Sequence, residues 1–250
     1  MPIRTYYCGG VTIDENDLDY DPHAFPPFAV TVDIALMTLV DNELRMLLIQ
    51  RGVEPDKGFW ALPGGFVQEN EDLLTAAERE LIEETGVSAE LEQLKTYGQP
   101  QRDPRMRVVT VAYWAILPDL PKPKSGTDAS HAELVPVFEI ESKRLKLAFD
   151  HEQIAHDAVE AARESLETRT VASRFCQPEF TIADLRNVYN SVWNTKLDPG
   201  NFQRKVKQSE GFLTPTPDKT PSTEKGGRPA VLWTAGPADK LDPPIQRPEK

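Results

Sequence analysis

The stretch GFVQENEDLLTAAERELIEETGV, residues 65–87, joins a glycine turn to an amphipathic helix with three glutamates on one face. Apolar residues at Leu73, Leu74, Ala77, Leu81 and Ile82 recur at helical spacing and predict a helix from Leu73 to Thr85. Gly86 follows at the C′ position, where a left-handed backbone favours glycine. Glu80, Glu83 and Glu84 then stand at i, i+3 and i+4, so their carboxylates share one face. Like charges so placed repel, by roughly 0.2–0.5 kcal/mol per pair. A divalent cation reverses that sign, and hard carboxylate oxygens suit Mg²⁺ or Mn²⁺. Arg79 and Glu71 can pair and fix the loop against the helix, and Gly64-Gly65 permits a tight turn before it. Three glutamates alone would be read as a solvated acidic face. The full pattern specifies nine positions over 23 residues, which chance rarely meets.

Outward from this segment the chain reads as an α/β domain. AVTVDIALMTLV (29–40) is apolar and β-branched, as a buried strand is; Asp41-Asn42 is a turn, and LRMLLIQR (44–51) completes a hairpin. A second turn at Pro55-Asp56-Lys57-Gly58 leads into FWALPGGFV (59–67). RVVTVAYWAIL (107–117) is a further strand, residues 118–131 are a proline-rich loop, and LVPVFEI (134–140) is the last strand expected in this part. Residues 1–25 are polar and acidic and read as a flexible arm.

Residues 65–87 resemble the Nudix box without a departure. The resemblance implies an α/β/α sandwich with a mixed sheet, binding a nucleoside diphosphate linked to another moiety. It implies Glu80, Glu83 and Glu84 as ligands for Mg²⁺ or Mn²⁺, Arg79 and Glu71 as scaffold, and Gly65 as the loop before the catalytic helix. A metal-activated water would attack one phosphorus of the pyrophosphate, with a glutamate as general base, Glu83 the first candidate. Arg51, Arg102 and Arg105 are candidate phosphate contacts, because guanidinium pairs bidentately with phosphate; ordinary surface charge is the competing reading. Gly64 and Gly65 would border the substrate. Trp60 is a candidate for stacking on a base, although large aromatics more often form core or pocket wall. His131, His151 and His156 follow no ligand pattern and read as surface residues, and Asp150 as a helix cap.

The chain continues well past the point where a plain Nudix domain would end. Residues 150–167 form a linking helix, EFTIADLRNVYNSVWN (179–194) a second with Thr181 as N-cap, LDPGNFQRKVKQS (197–209) a short basic third, and GRPAVLW (227–233) a strand. That order is the order of a winged helix-turn-helix. In such a module Gln203, Arg204, Lys205 and Lys207 would face DNA, with Arg228 in the wing. From composition alone, a helical dimerisation or lid domain fits equally well. The expected organisation is an arm (1–25), a Nudix domain (26–147), a linking helix (148–170), a winged helix (171–235) and a disordered, proline-rich tail (236–250). KLAFDH (146–151), EFTIADLRNVY (179–189), NFQRKV (201–206) and GGRPAVLW (226–233), behind a Nudix box, resemble the Nudix-related transcriptional regulators of bacteria over roughly residues 28–235. The resemblance implies control of genes of NAD metabolism or sugar use, ADP-ribose or a related nucleotide as effector, double-stranded operator DNA as target, and a homodimer. Many of these regulators carry an eroded box; here it is intact, which keeps hydrolysis open. The alternative is a dedicated ADP-ribose pyrophosphatase with a C-terminal dimerisation domain.

The charge distribution agrees with two parts of different use. Net charge is −12 overall; by count, residues 1–170 carry −15 and residues 171–250 carry +3. An apolar run of about 18 residues would be needed for a membrane span, and none occurs. MPIRTYYCGG lacks the apolar core of a secretory signal. Cys8 and Cys176 fit no metal spacing and read as plain thiols of a cytoplasmic protein.

Overall fold

The structure, a computed structural model, describes residues 26–120, 129–220 and 229–248, and the backbone of two short strands at 5–8 and 11–14. Those two, β1 (Thr5–Cys8) and β2 (Val11–Asp14), pair antiparallel within the expected arm, the rest of which lies outside the described residues.

A mixed sheet organises the first part. β3 (Ala29–Val40) runs through its centre and pairs in parallel with β8 (Val108–Ile116). β4 (Glu43–Arg51) turns back antiparallel on β3 and carries β5 (Trp60–Ala61) and β9 (Ala129–Pro136). β6 (Gly64–Phe66) pairs with the first half of β3, and β7 (Glu92–Tyr97) forms the far edge on β8. Both faces of β3 are covered, so its sequence is almost continuously apolar rather than alternating. Val32, Ile34 and Leu36 share one core with Ala76, Ala77 and Leu81 of α1 (Leu73–Thr85). Ala35 and Met37 point the other way, into a larger core with α3 (His151–Thr168). This is the α/β/α sandwich that the box implies.

That second core runs on without a break into the C-terminal part. Ile154, Ala158 and Leu166 of α3, Leu185, Val188 and Tyr189 of α4 (Ile182–Trp193), and Phe202 and Val206 of α5 (Pro199–Gln208) belong to it. Thr181 caps α4 in a reciprocal box with Asp184, as its position suggests. α4, α5 and an antiparallel pair, β10 (Leu213–Lys219) with β11 (Val231–Ala235), make a winged helix. The proposed wing residue Arg228 lies outside the described residues.

Four sequence expectations change. LVPVFEI is not one strand: β9 ends at Pro136, and Val137–Glu141 is a short helix, α2. β7 and β10 were not expected. β7 is short and half polar, and β10 carries Pro215 and Pro217, which a two-stranded edge tolerates. Asp150 precedes α3 but makes no side-chain cap; its carboxylate holds Arg102 instead. The tail is not disordered through 248. Leu241 and Ile245 are buried, and their N–H groups donate to Thr168 and Glu167 carbonyls at 2.8 and 2.9 Å. Two apolar anchors and main-chain pairing outweigh its proline content.

Candidate functional site

The glycine turn and α1 form the site by packing Gly65 against Glu80. An added Cβ at Gly65 would lie 2.3 Å from the Glu80 carboxylate, so only glycine leaves that space. At Gly64 an added Cβ would lie 2.2 Å from the Val32 carbonyl oxygen, because β6 pairs there with β3. Asp72 caps α1 by accepting from Thr75 N–H, and Gly86 ends it at φ 71°.

Arg79 is the hub. Its guanidinium donates twice to Glu71, at 2.6 and 2.9 Å, and to Glu80 at 2.7 Å, Glu83 at 3.2 Å and the Phe66 carbonyl at 3.2 Å. Glu71, bonded by Arg79 and by the Gln68 N–H, is held down at about 2. Burial pushes Glu80 upward despite Arg79 beside it. Glu84 is buried in the inner wall and accepts from Gly64 N–H at 2.9 Å. Glu83 is the outermost of the three, its side chain 55% exposed. Glu80 thus meets the turn at Gly65 and Glu84 meets it at Gly64, while Glu83 stands outside them on Arg79.

A positively charged, aromatic corner borders them. Arg51 lies 4.6 Å from the Phe149 ring centre and donates to the Pro55 carbonyl at 2.9 Å. Arg105 lies 5.3 Å from the Phe66 ring and 5.7 Å from the Phe149 ring, and Asp103 pairs with it at 2.6 Å. Among the described residues no carboxylate pairs with Arg51, whose pKa is lowered by burial and then by Arg105. Phe66 and Phe149 were not among the sequence candidates; an aromatic next to Gly65 was the one signal for Phe66.

Arg102 does something else. Its side chain is 4% exposed and pairs with Asp150 at 2.5 Å and Asp33 at 3.4 Å. Thr110 donates to Asp33 at 2.7 Å, and His151 Nε2 faces Asp33 at 3.4 Å. Arg102 is therefore a buried strut under the Gly64 turn, not an open phosphate contact. His151 is likewise a correction: it is buried and hydrogen-bonded, whereas His131 and His156 are exposed. Trp60 is half-buried with its ring edge-on to His131, a wall position.

In the winged helix, Phe202 and Val206 turn inward, and Gln203, Arg204 and Lys207 are exposed on the outer face of α5. Lys205 sits half-buried on the opposite side, beside a small pocket that it shares with Ile245. Of the four α5 candidates, three share a face and Lys205 does not.

Fold and site together define a Nudix domain continuous with a winged-helix DNA-binding domain. The NUDIX domain family matches residues 29–158, and the NrtR DNA-binding winged helix domain family matches residues 173–235. The chain belongs to the Nudix-related transcriptional regulators of the NrtR type. It is 33% identical over 217 residues to the ADPR responsive transcriptional repressor NtrR of Acinetobacter baylyi, spanning 86% of this chain and 84% of that protein. It also resembles Shewanella oneidensis NrtR complexed with a 27mer DNA (TM-score 0.72, 30% identity, 87% of this chain and 99% of that chain). The NUDIX domain of that protein complexed with ADP ribose matches with a TM-score of 0.53 and 37% identity over 58% of this chain and 94% of that chain.

Nudix hydrolases generally use a divalent metal, and the donor set here suits one: three carboxylates on one helical face beside the space kept by Gly65. Among the described residues no three acidic, His or Cys side chains are already drawn together around a metal position. Arg79 and Gly64 hold the glutamates instead. Also among the described residues, no helix is long and apolar enough to cross a membrane.

Proposed function

We propose that this protein is a transcriptional repressor whose Nudix domain binds ADP-ribose and whose winged helix then releases operator DNA. One observation carries the reading: α1 with its intact box packs on one face of the sheet, and the core on the other face runs through α3 into α4 and α5. The diphosphate would lie between the glutamates of α1 and the Arg51–Arg105 corner, where Arg51, among the described residues, forms no direct salt bridge with a carboxylate. Phe66, 41% exposed, offers a face for the adenine or ribose. Gln203, Arg204 and Lys207 face the major groove. The protein acts in the cytoplasm as a homodimer, so that two α5 helices occupy two half-sites.

Gel shifts at fixed salt, on DNA from upstream of the protein's own gene, test this. Specific binding that ADP-ribose releases is the expected result; a protein that binds no such fragment overturns it.

Hydrolysis is a second reading, favoured by the intact set Glu71, Arg79, Glu80, Glu83 and Glu84. Glu80, Glu83 and Glu84 would hold Mg²⁺ or Mn²⁺, which when bound neutralises phosphoryl charge and acidifies a water. Until then Arg79 holds Glu80 and Glu83 and the Gly64 N–H holds Glu84, and exposed Glu83 is placed to take a proton. A protein that turned over its own effector would reset itself. Release of AMP from ADP-ribose, lost in Glu83→Gln, is the expected outcome; no release with either metal confines the domain to sensing.

A further inference from the structure

Between the start of α4, the outer side of α5 and β11 lies a groove of about 310 Å³. Its walls are apolar, with Ile182, Phe202 and Trp233 among them, yet two cations line it: Arg186 from α4 and Lys207 from α5. No lining residue is acidic, in a chain whose net charge is −12. Neither cation forms an ion pair among the described residues. Lys207 is 6.0 Å from the Trp233 ring, and the Arg186 Nε is buried without a hydrogen-bond partner. Buried guanidinium nitrogens are rarely left so, because the lost hydration is uncompensated. The gap calls for an anion. Apolar walls reduce screening and strengthen a charge pair formed there.

We propose that this groove seats one backbone phosphate of the DNA duplex, gripped by Arg186 and Lys207, with a deoxyribose against Trp233. This rests on the reading that α5 faces DNA. The exposed neighbour Gln203 lines the same groove, so a phosphate held there fixes how far α5 enters the major groove. Arg186 is then a positioning contact that reads no base, and its loss weakens specific and non-specific DNA alike.

The experiment is a salt titration of DNA affinity, with the full chain and duplex DNA from upstream of its own gene. Each phosphate contact adds about 0.9 to the slope of log affinity against log salt. Arg186→Ala is expected to lower affinity about tenfold and flatten the slope by about one contact. Arg186→Lys, which keeps the charge, restores most of the slope. Unchanged ADP-ribose binding and an unchanged unfolding midpoint establish that each variant is folded. If wild-type protein binds DNA and Arg186→Ala leaves the slope unchanged, the groove holds no phosphate. A slope that falls equally in Arg186→Lys also overturns the proposal, since packing and not charge is then at work. Wild-type protein that binds no DNA fails the functional reading itself, a separate result.

Discussion

His151 accepts a hydrogen bond from the Leu62 N–H at 2.9 Å, tying the first residue of α3 to the turn that carries Gly64 and Gly65. Accepting at Nδ1 places the remaining proton of the neutral ring on Nε2, toward Asp33. Burial lowers the His151 pKa, and Asp33 and Asp150 only partly offset it, with Arg102 and Arg51 opposing them. The folded protein therefore binds fewer protons than the unfolded chain below the ordinary value of 6.5. Its contribution to stability is complete above that pH and declines as pH falls through the range below it. Urea midpoints measured from pH 7.5 to 5 should fall for the wild type and fall less for His151→Gln, whose amide keeps an acceptor and a donor without titrating. Equal slopes would assign the acid sensitivity elsewhere.

The two glycines of the turn should fail differently. In Gly64→Ala the new methyl meets backbone, the Val32 carbonyl oxygen, which moves only with the sheet. In Gly65→Ala it meets the tip of the Glu80 side chain, which can swing away. Gly64→Ala is expected to cost stability, about 1–3 kcal/mol, as overpacking that forces a backbone shift does. Gly65→Ala should unfold near the wild-type midpoint yet bind ADP-ribose at least tenfold more weakly in Mg²⁺. Calorimetry beside denaturant melts separates the two, and a stable Gly64→Ala would refute the distinction.

Arg79 bonds three carboxylates and a carbonyl through one planar fork. A lysine has the charge without the fork, so Arg79→Lys should not substitute for it. With Arg79 replaced, Glu71 loses the partner that chiefly holds its pKa near 2. NMR titration should find Glu71 back toward the ordinary 4.5, and metal-dependent nucleotide binding should drop in both Arg79→Lys and Arg79→Ala. Full binding by Arg79→Lys would show that charge alone suffices.

How far these features could be read from sequence depended on how local they are. The helix of the box, its capping glycine, the Glu71–Arg79 pair and the Thr181 cap are set by residues a few positions apart, and periodicity displays them. The site's remaining parts come from distant segments. Phe149 reaches Arg51 across 98 positions, and His151 meets Leu62 across 89. Such contacts leave no spacing to detect. Arg102 looked like a phosphate ligand because its neighbours are arginines, yet Asp33 and Asp150 enclose it only once the sheet has folded. Proline content misled in the tail, because it reports on lost donors and not on burial gained elsewhere.

The tail offers the sharpest contrast between composition and packing. Residues 236–248 cross the ends of α3 and α5: Leu241 and Ile245 bond to main-chain carbonyls of Thr168 and Glu167, Ser209 donates to the Pro243 carbonyl at 3.0 Å, and Arg247 reaches Glu160 at 3.3 Å. Ile245 is 1% exposed and Leu241 5%. Burying two such side chains stabilises by about 3–6 kcal/mol before chain entropy is counted, a large part of the total for a typical domain. Leu241→Ala and Ile245→Ala should each cost about 2–4 kcal/mol with an unchanged denaturant m-value. Because Ser209 lies directly after α5, removal of residues 236–250 should also loosen that helix and weaken DNA binding more than ADP-ribose binding. A loose tail would give a different result: truncation within about 0.5 kcal/mol of wild type and unaltered gel shifts.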